Sequence, residues 1–197
     1  MQFTSKNILD YYRQATQVEY SNGRLWYLNA HHQCEYLAIK HSLPLNKVIG
    51  MTAALSPRNR WSRNLIDVEN LLSHAGTFGI NSDDIYDVKV ATFNGNKIKA
   101  INILQDTSDV DMSSHLGGSK VISFYRCILN PSGQDVCLDG HSIAVASGKD
   151  RITGLSLSGK HYLNLAALYV EAASQVNLTP SELQAITWLV YRRIHKI

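Results

Sequence analysis

The sequence predicts an all-α domain of nine or ten short helices. Apolar residues recur three and four positions apart through most of the chain, as in helices that bury one face. Proline and glycine separate these segments at points where a helix must end. There is no internal repeat, low-complexity tract or obvious linker, so the 197 residues are interpreted as one domain, residues 1–197.

The predicted helices follow one another with short gaps. The first begins at Ile8 and is expected to stop near the Ser-Asn-Gly run at 21–23. A helix that opens at Pro44 should end at Ser56, because Pro57 disfavours helical geometry in the residue before it. The other helices are predicted at residues 25–41, 65–72, 97–104, 120–129, 161–176 and 181–194. Loops or short elements are predicted at residues 77–84, 109–114, 130–133 and 147–159.

The composition is that of an ordinary soluble globular protein, since 45% of the residues are hydrophobic and 18% are charged. A net charge of +3 is compatible with nucleic acid as a partner but does not establish it. Arg58, Arg60 and Arg63 form a local basic cluster within six residues. A second basic cluster, at residues 192–196, is interpreted as solvated surface charge.

Three cysteines without regular spacing indicate a reduced, intracellular protein. Their spacings are not those of a zinc site or of an iron–sulfur ligand set, so no metal or cluster is expected. The N-terminal residues lack the apolar segment of a signal peptide. No stretch approaches the roughly 20 apolar residues that span a bilayer. We therefore expect a cytoplasmic protein that does not contact a membrane.

Two short stretches, residues 115–121 and 136–141, combine glycines with reactive side chains. Gly117 and Gly118 would let the chain reverse between two helices. The second of these helices would begin with exposed backbone N–H groups, which suit a phosphate, and Lys120 would lie in its first turn. Nineteen residues later Asp139 ends an apolar run, which is a buried setting for an acid.

These stretches resemble the helix–hairpin–helix–GPD superfamily of DNA glycosylases. Residues 118–121, Gly-Ser-Lys-Val, are similar to the end of the family's hairpin, and residues 138–141, Leu-Asp-Gly-His, are similar to its Val-Asp-x-His motif. The separation of Lys120 and Asp139 fits the oxoguanine-glycosylase-like branch.

Three further segments resemble the family in the same order along the chain. Residues 54–59 are similar to the Leu-Leu-Ser segment that leads to a residue entering DNA, and residues 96–104 are similar to the helix before the hairpin. Residues 182–188 resemble a terminal helix of several members, so the likeness covers about residues 48–193. The chain departs from the pattern at Leu116, where the family hairpin has its first glycine, and at Pro57 in the Leu-Leu-Ser segment.

The resemblance implies a two-lobed helical bundle with a helix–hairpin–helix element and a cleft between the lobes. Lys120 and Asp139 would face each other across that cleft. The implied activity is excision of a damaged or modified base flipped out of DNA, with a Lys-dependent AP-lyase step. The resemblance also implies a nucleoid-associated monomer of bacterial or phage origin, without an iron–sulfur cluster but with room for a monovalent cation at the hairpin.

The resemblance assigns a role to each candidate residue. Asp139 would stabilise the positive charge that develops on the sugar. Lys120 would attack C1′, helped by the positive field at a helix start, which favours a neutral amine. His141 would support the site as a hydrogen-bonded ring that orients the loop. The residues expected to contact DNA are Arg58, Asn59, Arg60, Arg63, Gly117, Gly118 and Ser119.

Simpler interpretations stand beside these roles. Lys120 could be a surface lysine at the start of a helix, and Asp139 could be a helix cap. Two other functions fit the same residues. One is an enzyme that remodels modified pyrimidines in phage DNA on the same fold. The other is a non-catalytic helix–hairpin–helix module that uses residues 117–120 only to grip phosphate.

Overall fold

The computed structural model describes residues 2–108, 111–149, 157 and 159–197. These residues form helices and contain no β-strand, which confirms the all-α prediction. Two short 3-10 helices, Asp83–Asp87 and Met112–His115, accompany the α-helices. The α-helices are α1 (Ser5–Tyr12), α2 (Gln17–Lys40), α3 (Leu45–Leu55), α4 (Trp61–Phe78), α5 (Asn94–Gln105), α6 (Ser119–Leu129), α7 (Gly140–Ser147), α8 (Gly159–Ser174) and α9 (Pro180–His195).

The chain divides into two compact units. The first unit comprises Met1–Ala30 and Arg126–Ile197, and the second comprises His31–Tyr125. The division falls inside two helices, within α2 after Ala30 and within α6 after Tyr125. None of the described helices is long and apolar enough to cross a membrane.

In the first unit, α1, α7, α8 and α9 pack around one core. α7 is mostly apolar, and its residues 143–146 all lie inside this core, while the polar Ser142 is also buried. α9 starts at a capping box, in which the Thr179 hydroxyl accepts from the Glu182 amide and the Glu182 carboxylate accepts from the Thr179 amide. Pro180 occupies the first turn, where no amide hydrogen is needed.

In the second unit, α3 is the central helix. All its residues from Val48 to Leu55 are buried, and it packs against α5 and α4. The ammonium group of Lys47, at the start of α3, donates to the carbonyl oxygens of Leu104 and Asp106 at the end of α5. These bonds supply partners to carbonyls that the end of a helix leaves unpaired.

The predicted helix break at residues 21–23 is wrong. α2 begins at Gln17 and continues through Gly23 to Lys40. A Cβ atom on Gly23 would lie 2.5 Å from Cγ1 and 2.7 Å from Cα of Ile186 on α9. Gly23 is therefore present because another helix approaches its backbone, and the sequence pattern for a turn was misleading.

The first predicted helix, from Ile8 to about residue 21, is two helices in the structure, because α1 ends at Tyr12 and α2 begins at Gln17. α7 lies where no helix was predicted, and α4 extends well beyond 65–72 at both ends. The other predicted boundaries agree with the structure to within a few residues. The turn at 130–133 is present, closed by a hydrogen bond from the Gly133 amide to the Asn130 carbonyl. Of the element expected at 109–114, residues 109 and 110 lie outside the described part, and the rest belongs to the 3-10 helix Met112–His115. Most of the predicted loop at 147–159 also lies outside the described residues.

We expect Gly23→Ala to destabilise the protein by about 2 kcal/mol, because the added methyl group overpacks against the backbone of Ile186. Gly76→Ala is the matched control, since Gly76 lies in α4 and a Cβ there meets no atom within 4 Å. Alanine is the better helix former, so this variant should be neutral or stabilised by about 0.5 kcal/mol. Urea unfolding followed by circular dichroism measures both, and equal effects would contradict the close-packing explanation.

Candidate functional site

Asp139 is the N-cap of α7. Its Oδ1 accepts hydrogen bonds from the amide and the hydroxyl of Ser142, both at 2.9 Å, and the Ser142 hydroxyl accepts from the Asp139 amide at 3.4 Å. The negative charge lies at the positive end of the helix dipole, which stabilises it. The expectation that Asp139 could cap a helix is therefore confirmed, and its position is fixed by α7.

The second oxygen of Asp139 faces α9. The indole Nε1 of Trp188 donates to Oδ2 at 3.1 Å. About a fifth of the Asp139 side chain, 22%, remains exposed. The carboxylate is thus held through both oxygens, and the side chain that carries it remains partly exposed.

A series of buried hydrogen bonds leads to the hydroxyl of Ser142 and holds it in place. The Tyr27 hydroxyl donates to Oε1 of Gln184 at 3.1 Å, and Nε2 of Gln184 donates to the Ser142 hydroxyl at 3.2 Å. Burial raises the pKa of the Tyr27 phenol well above its usual value, so it remains a neutral donor. Because the Ser142 oxygen accepts two N–H groups, its own hydrogen points to Asp139.

The His141 ring is held by aromatic contacts. It lies 5.1 Å from the ring of Tyr191 and 6.2 Å from that of Trp188, centroid to centroid. Its buried Nδ1 is 3.5 Å from Oδ2 of Asp139 and makes no hydrogen bond among the described residues. The expected hydrogen bond from His141 is therefore not formed at this nitrogen.

Lys120 is the second residue of α6, which confirms its predicted place in the first turn of that helix. Its side chain is exposed. The turn before it contains Gly118 at φ 79°, in the left-handed region that favours glycine. Lys120 belongs to the second unit and Asp139 to the first, and their proposed pairing stays a prediction.

The segment that leads to this turn is tied to α5 by an acid–imidazole contact. Asp106 accepts from the Ser108 amide at 2.7 Å and from Nε2 of His115 at 2.6 Å. Hydrogen bonds from Ser108 and His115 lower the pKa of Asp106, so the carboxylate stays ionised. The contact joins the end of α5 to the 3-10 helix that precedes Gly117.

Asp67 organises the basic loop before α4. It is fully buried and pairs with Nε of Arg63 at 2.8 Å. Its other oxygen accepts from Nδ2 of Asn59 at 2.9 Å and from the Ala91 amide at 2.8 Å. Two of the residues predicted to bind DNA, Asn59 and Arg63, thus hold this buried acid and shape the loop.

The other two predicted arginines of the loop are exposed. Arg58 has φ 58°, a strained conformation for a residue with a side chain, and its guanidinium lies 5.4 Å from the centroid of the Phe93 ring. The hydroxyl of Thr92 donates to the Pro57 carbonyl at 2.8 Å and holds the same bend. Arg60 is the N-cap of α4 and provides no side-chain cap to its amides. Arg58 and Arg60 therefore lie beside the positive end of an 18-residue helix.

A family model matches residues 1–195, a range that contains every candidate site residue. The chain belongs to this family of unknown function, DUF7178. No curated protein matches the DUF7178 chain, and no solved structure matches it. The glycosylase resemblance thus rests on the motifs of the chain itself.

Sequence reasoning missed three residues that build the site in this DUF7178 protein. Asp67 carried a weak signal, its spacing of four from Arg63, which suits an ion pair on a helix. Gln184 and Trp188 were noticed only as part of a helix that resembles one in the family. Nothing in the sequence connects them to Asp139, because they are 45 and 49 residues away from it.

In the described part of the chain, no three His, Cys, Asp or Glu side chains are grouped so as to hold a metal ion. The three cysteines are buried and form no disulfide among the described residues. Burial raises the pKa of the Cys34 thiol to about 11, which keeps it protonated and unreactive at neutral pH.

We expect Asp67→Asn to destabilise the protein by about 2 kcal/mol, because an amide nitrogen would then face one of three hydrogen-bond donors inside the fold. Asp10→Asn is the matched control: Asp10 is likewise held by ion pairs, to Lys6 and Arg13, but all three side chains are exposed to solvent. Its unfolding midpoint in urea should hardly move. A loss as large for Asp10 as for Asp67 would refute the organising role of the buried acid.

Proposed function

We propose that this protein is a DNA base-excision glycosylase of the helix–hairpin–helix type. The observation that carries the proposal is the state of Asp139: a carboxylate fixed at the start of α7 by Ser142 and Trp188, yet partly exposed. It lies in the sequence segment that resembles the catalytic segment of those enzymes. A fixed, accessible carboxylate is what excision requires next to the sugar.

Asp139 would act on the charge of the transition state. When the bond between base and sugar breaks, its electron pair leaves with the base and positive charge develops on C1′ and the ring oxygen. A carboxylate that is already oriented stabilises this charge without reorganising during the reaction. Oδ2 suits this task because Oδ1 is occupied by both donors of Ser142.

Lys120 would supply the nucleophile in a bifunctional reaction. Its amine would form a bond to C1′ while the base departs, and loss of a proton from nitrogen with opening of the sugar would give a Schiff base. That intermediate permits cleavage of the strand by elimination. The proposal requires the amine of Lys120 and the carboxylate of Asp139 to reach the same sugar.

The turn at residues 117–119 and the first amides of α6 would grip the phosphate backbone as the proposed helix–hairpin–helix element. The left-handed Gly118 precedes the helix, whose positive end favours an anion. Arg58 and Arg60, both exposed, would contact further phosphates. In this proposal Asn59 and Arg63 act indirectly, through the shape that they give the loop around Asp67.

One observation favours a second function, a DNA-binding module without catalysis. Lys120 is exposed at a helix start beside a glycine turn, a position that also suits a simple phosphate contact. Excision assays on the variants below separate the two functions.

We expect borohydride to trap a covalent adduct between the native protein and a duplex that carries a suitable modified base, in a screen of modified purines and pyrimidines. Lys120→Ala should form no adduct, because the amine that makes the Schiff base is gone. Asp139→Asn should slow base release at least a hundredfold, because a neutral amide stabilises the sugar cation poorly. Gel electrophoresis of the labelled strand measures both effects.

Three results would change the assignment. Base release by Lys120→Ala without an adduct in either protein would mean that water attacks C1′ and that Lys120 binds phosphate. Full base release by Asp139→Asn would remove Asp139 from the reaction. Tight DNA binding with no base release from any duplex would favour the non-catalytic module.

We expect the double variant Arg58→Ala/Arg60→Ala to bind all DNA sequences more weakly and to lower the slope of log affinity against log salt by about 2, one for each lost phosphate contact. Lys6→Ala/Arg13→Ala is the charge-matched control, since both side chains are exposed and pair with Asp10 in the first unit. Fluorescence anisotropy at several salt concentrations gives the slopes. An equal loss in the two double variants would mean that only net charge matters.

A further inference from the structure

We propose that Trp188 is a positioning residue for Asp139, and that its indole N–H fixes the carboxylate oxygen that faces the sugar. This inference rests on the proposed glycosylase function. It concerns a residue on α9, 49 positions from the acid in the sequence.

The two oxygens of Asp139 are not equivalent. Oδ1 accepts from the amide and the hydroxyl of Ser142, and these two donors use both of its lone pairs. Among the described residues, Trp188 is the one hydrogen-bond donor to Oδ2, and Nδ1 of His141 lies 3.5 Å from this oxygen without a hydrogen bond, so Oδ2 retains a lone pair. Oδ2 is therefore the oxygen available to a substrate, and the direction of its free lone pair depends on Trp188.

Two side chains on one face of α9 influence both oxygens of the Asp139 carboxylate. Gln184 and Trp188 are four residues apart, so their side chains project from the same side of the helix. Gln184 acts on Oδ1 through the Ser142 hydroxyl, and Trp188 acts on Oδ2 directly. A single rigid helix thus orients the group from two sides, which limits its rotation about the bond to Cβ.

The indole is itself held in place. The guanidinium of Arg192, one turn further along α9, lies 4.6 Å from the centroid of the Trp188 ring. A cation over the ring face is attracted to the π electrons and draws density away from the ring. The N–H group then becomes a stronger donor to the carboxylate. Arg192 therefore supports the bond to Oδ2 without touching Asp139.

Trp188→Phe tests the inference, because phenylalanine retains an aromatic ring and removes the N–H donor together with part of the indole, a loss of ring atoms that the control below matches. We expect the single-turnover rate of base release at saturating protein to fall about tenfold, with unchanged affinity for DNA. Trp61→Phe is the matched control: it loses an indole hydrogen bond of 2.8 Å to Gln33 in the second unit, and its saturated rate should equal that of the native protein. A purely packing role for Trp188 would leave the saturated rate intact.

A second measurement does not depend on activity. The Nε1–H group of Trp188, bonded to a carboxylate, should give a downfield indole resonance in a 1H–15N NMR spectrum. Asp139→Asn should move this resonance upfield and leave those of Trp26 and Trp61 in place. This spectrum also tests the inference if Trp188→Phe does not fold. An indole resonance of Trp188 whose chemical shift is the same in the native protein and in Asp139→Asn would overturn the inference.

The outcomes separate this inference from the proposed function. If Asp139→Asn abolishes base release and Trp188→Phe keeps the full saturated rate, the function stands and the role of Trp188 fails. If Trp188→Phe weakens only DNA binding, the positioning role also fails. If the native protein releases no base from any duplex, the proposed function is refuted and the positioning role falls with it, whatever the NMR spectrum shows.

Discussion

An ionised carboxylate in an apolar segment is stable only when donors surround it, and in the first unit this requirement falls on Asp139. Its flanking residues Val136, Cys137 and Leu138 are buried, so the segment brings little polarity of its own. The donors come from the first turn of α7 and from α9. Three features stabilise the Asp139 carboxylate. They are the capping of α7, the register of α9 against α7, and the buried hydrogen bonds of Tyr27 and Gln184.

The second unit meets the same requirement at a different acid. Asp67 is fully buried, and its partners come from the loop before α4, from α4 itself and from the segment before α5. A buried charge whose partner is removed costs far more than an exposed one, so these segments are fixed relative to each other. The exposed Arg58 and Arg60 therefore project from a loop with a defined shape.

Fold likeness alone does not establish an activity, so the functional proposal depends on the chemistry of the sites. Asp139 combines a fixed orientation with partial exposure, and the Gly117–Gly118 turn leads into the start of α6 where Lys120 lies. These features suit a reaction that builds positive charge on a sugar held by its phosphates. Each of these features belongs to one unit, so each can be tested by substituting residues in that unit alone.

The sequence by itself determined the helical class, most helix boundaries and the place of Lys120 in the first turn of α6, and it allowed Asp139 to be interpreted as a helix cap. These depend on periodicity, proline and capping, which act within a few residues. Only the tertiary structure decided that Gly23 is a packing contact and that Arg63 and Asn59 hydrogen-bond to Asp67. It also decided that Trp188 bonds to Asp139 directly and that Gln184 acts on Asp139 through Ser142. The physical reason is that buried polar groups need hydrogen-bond partners, and helix packing determines which residues become those partners. The distance between two residues along the sequence does not indicate whether packing brings them together.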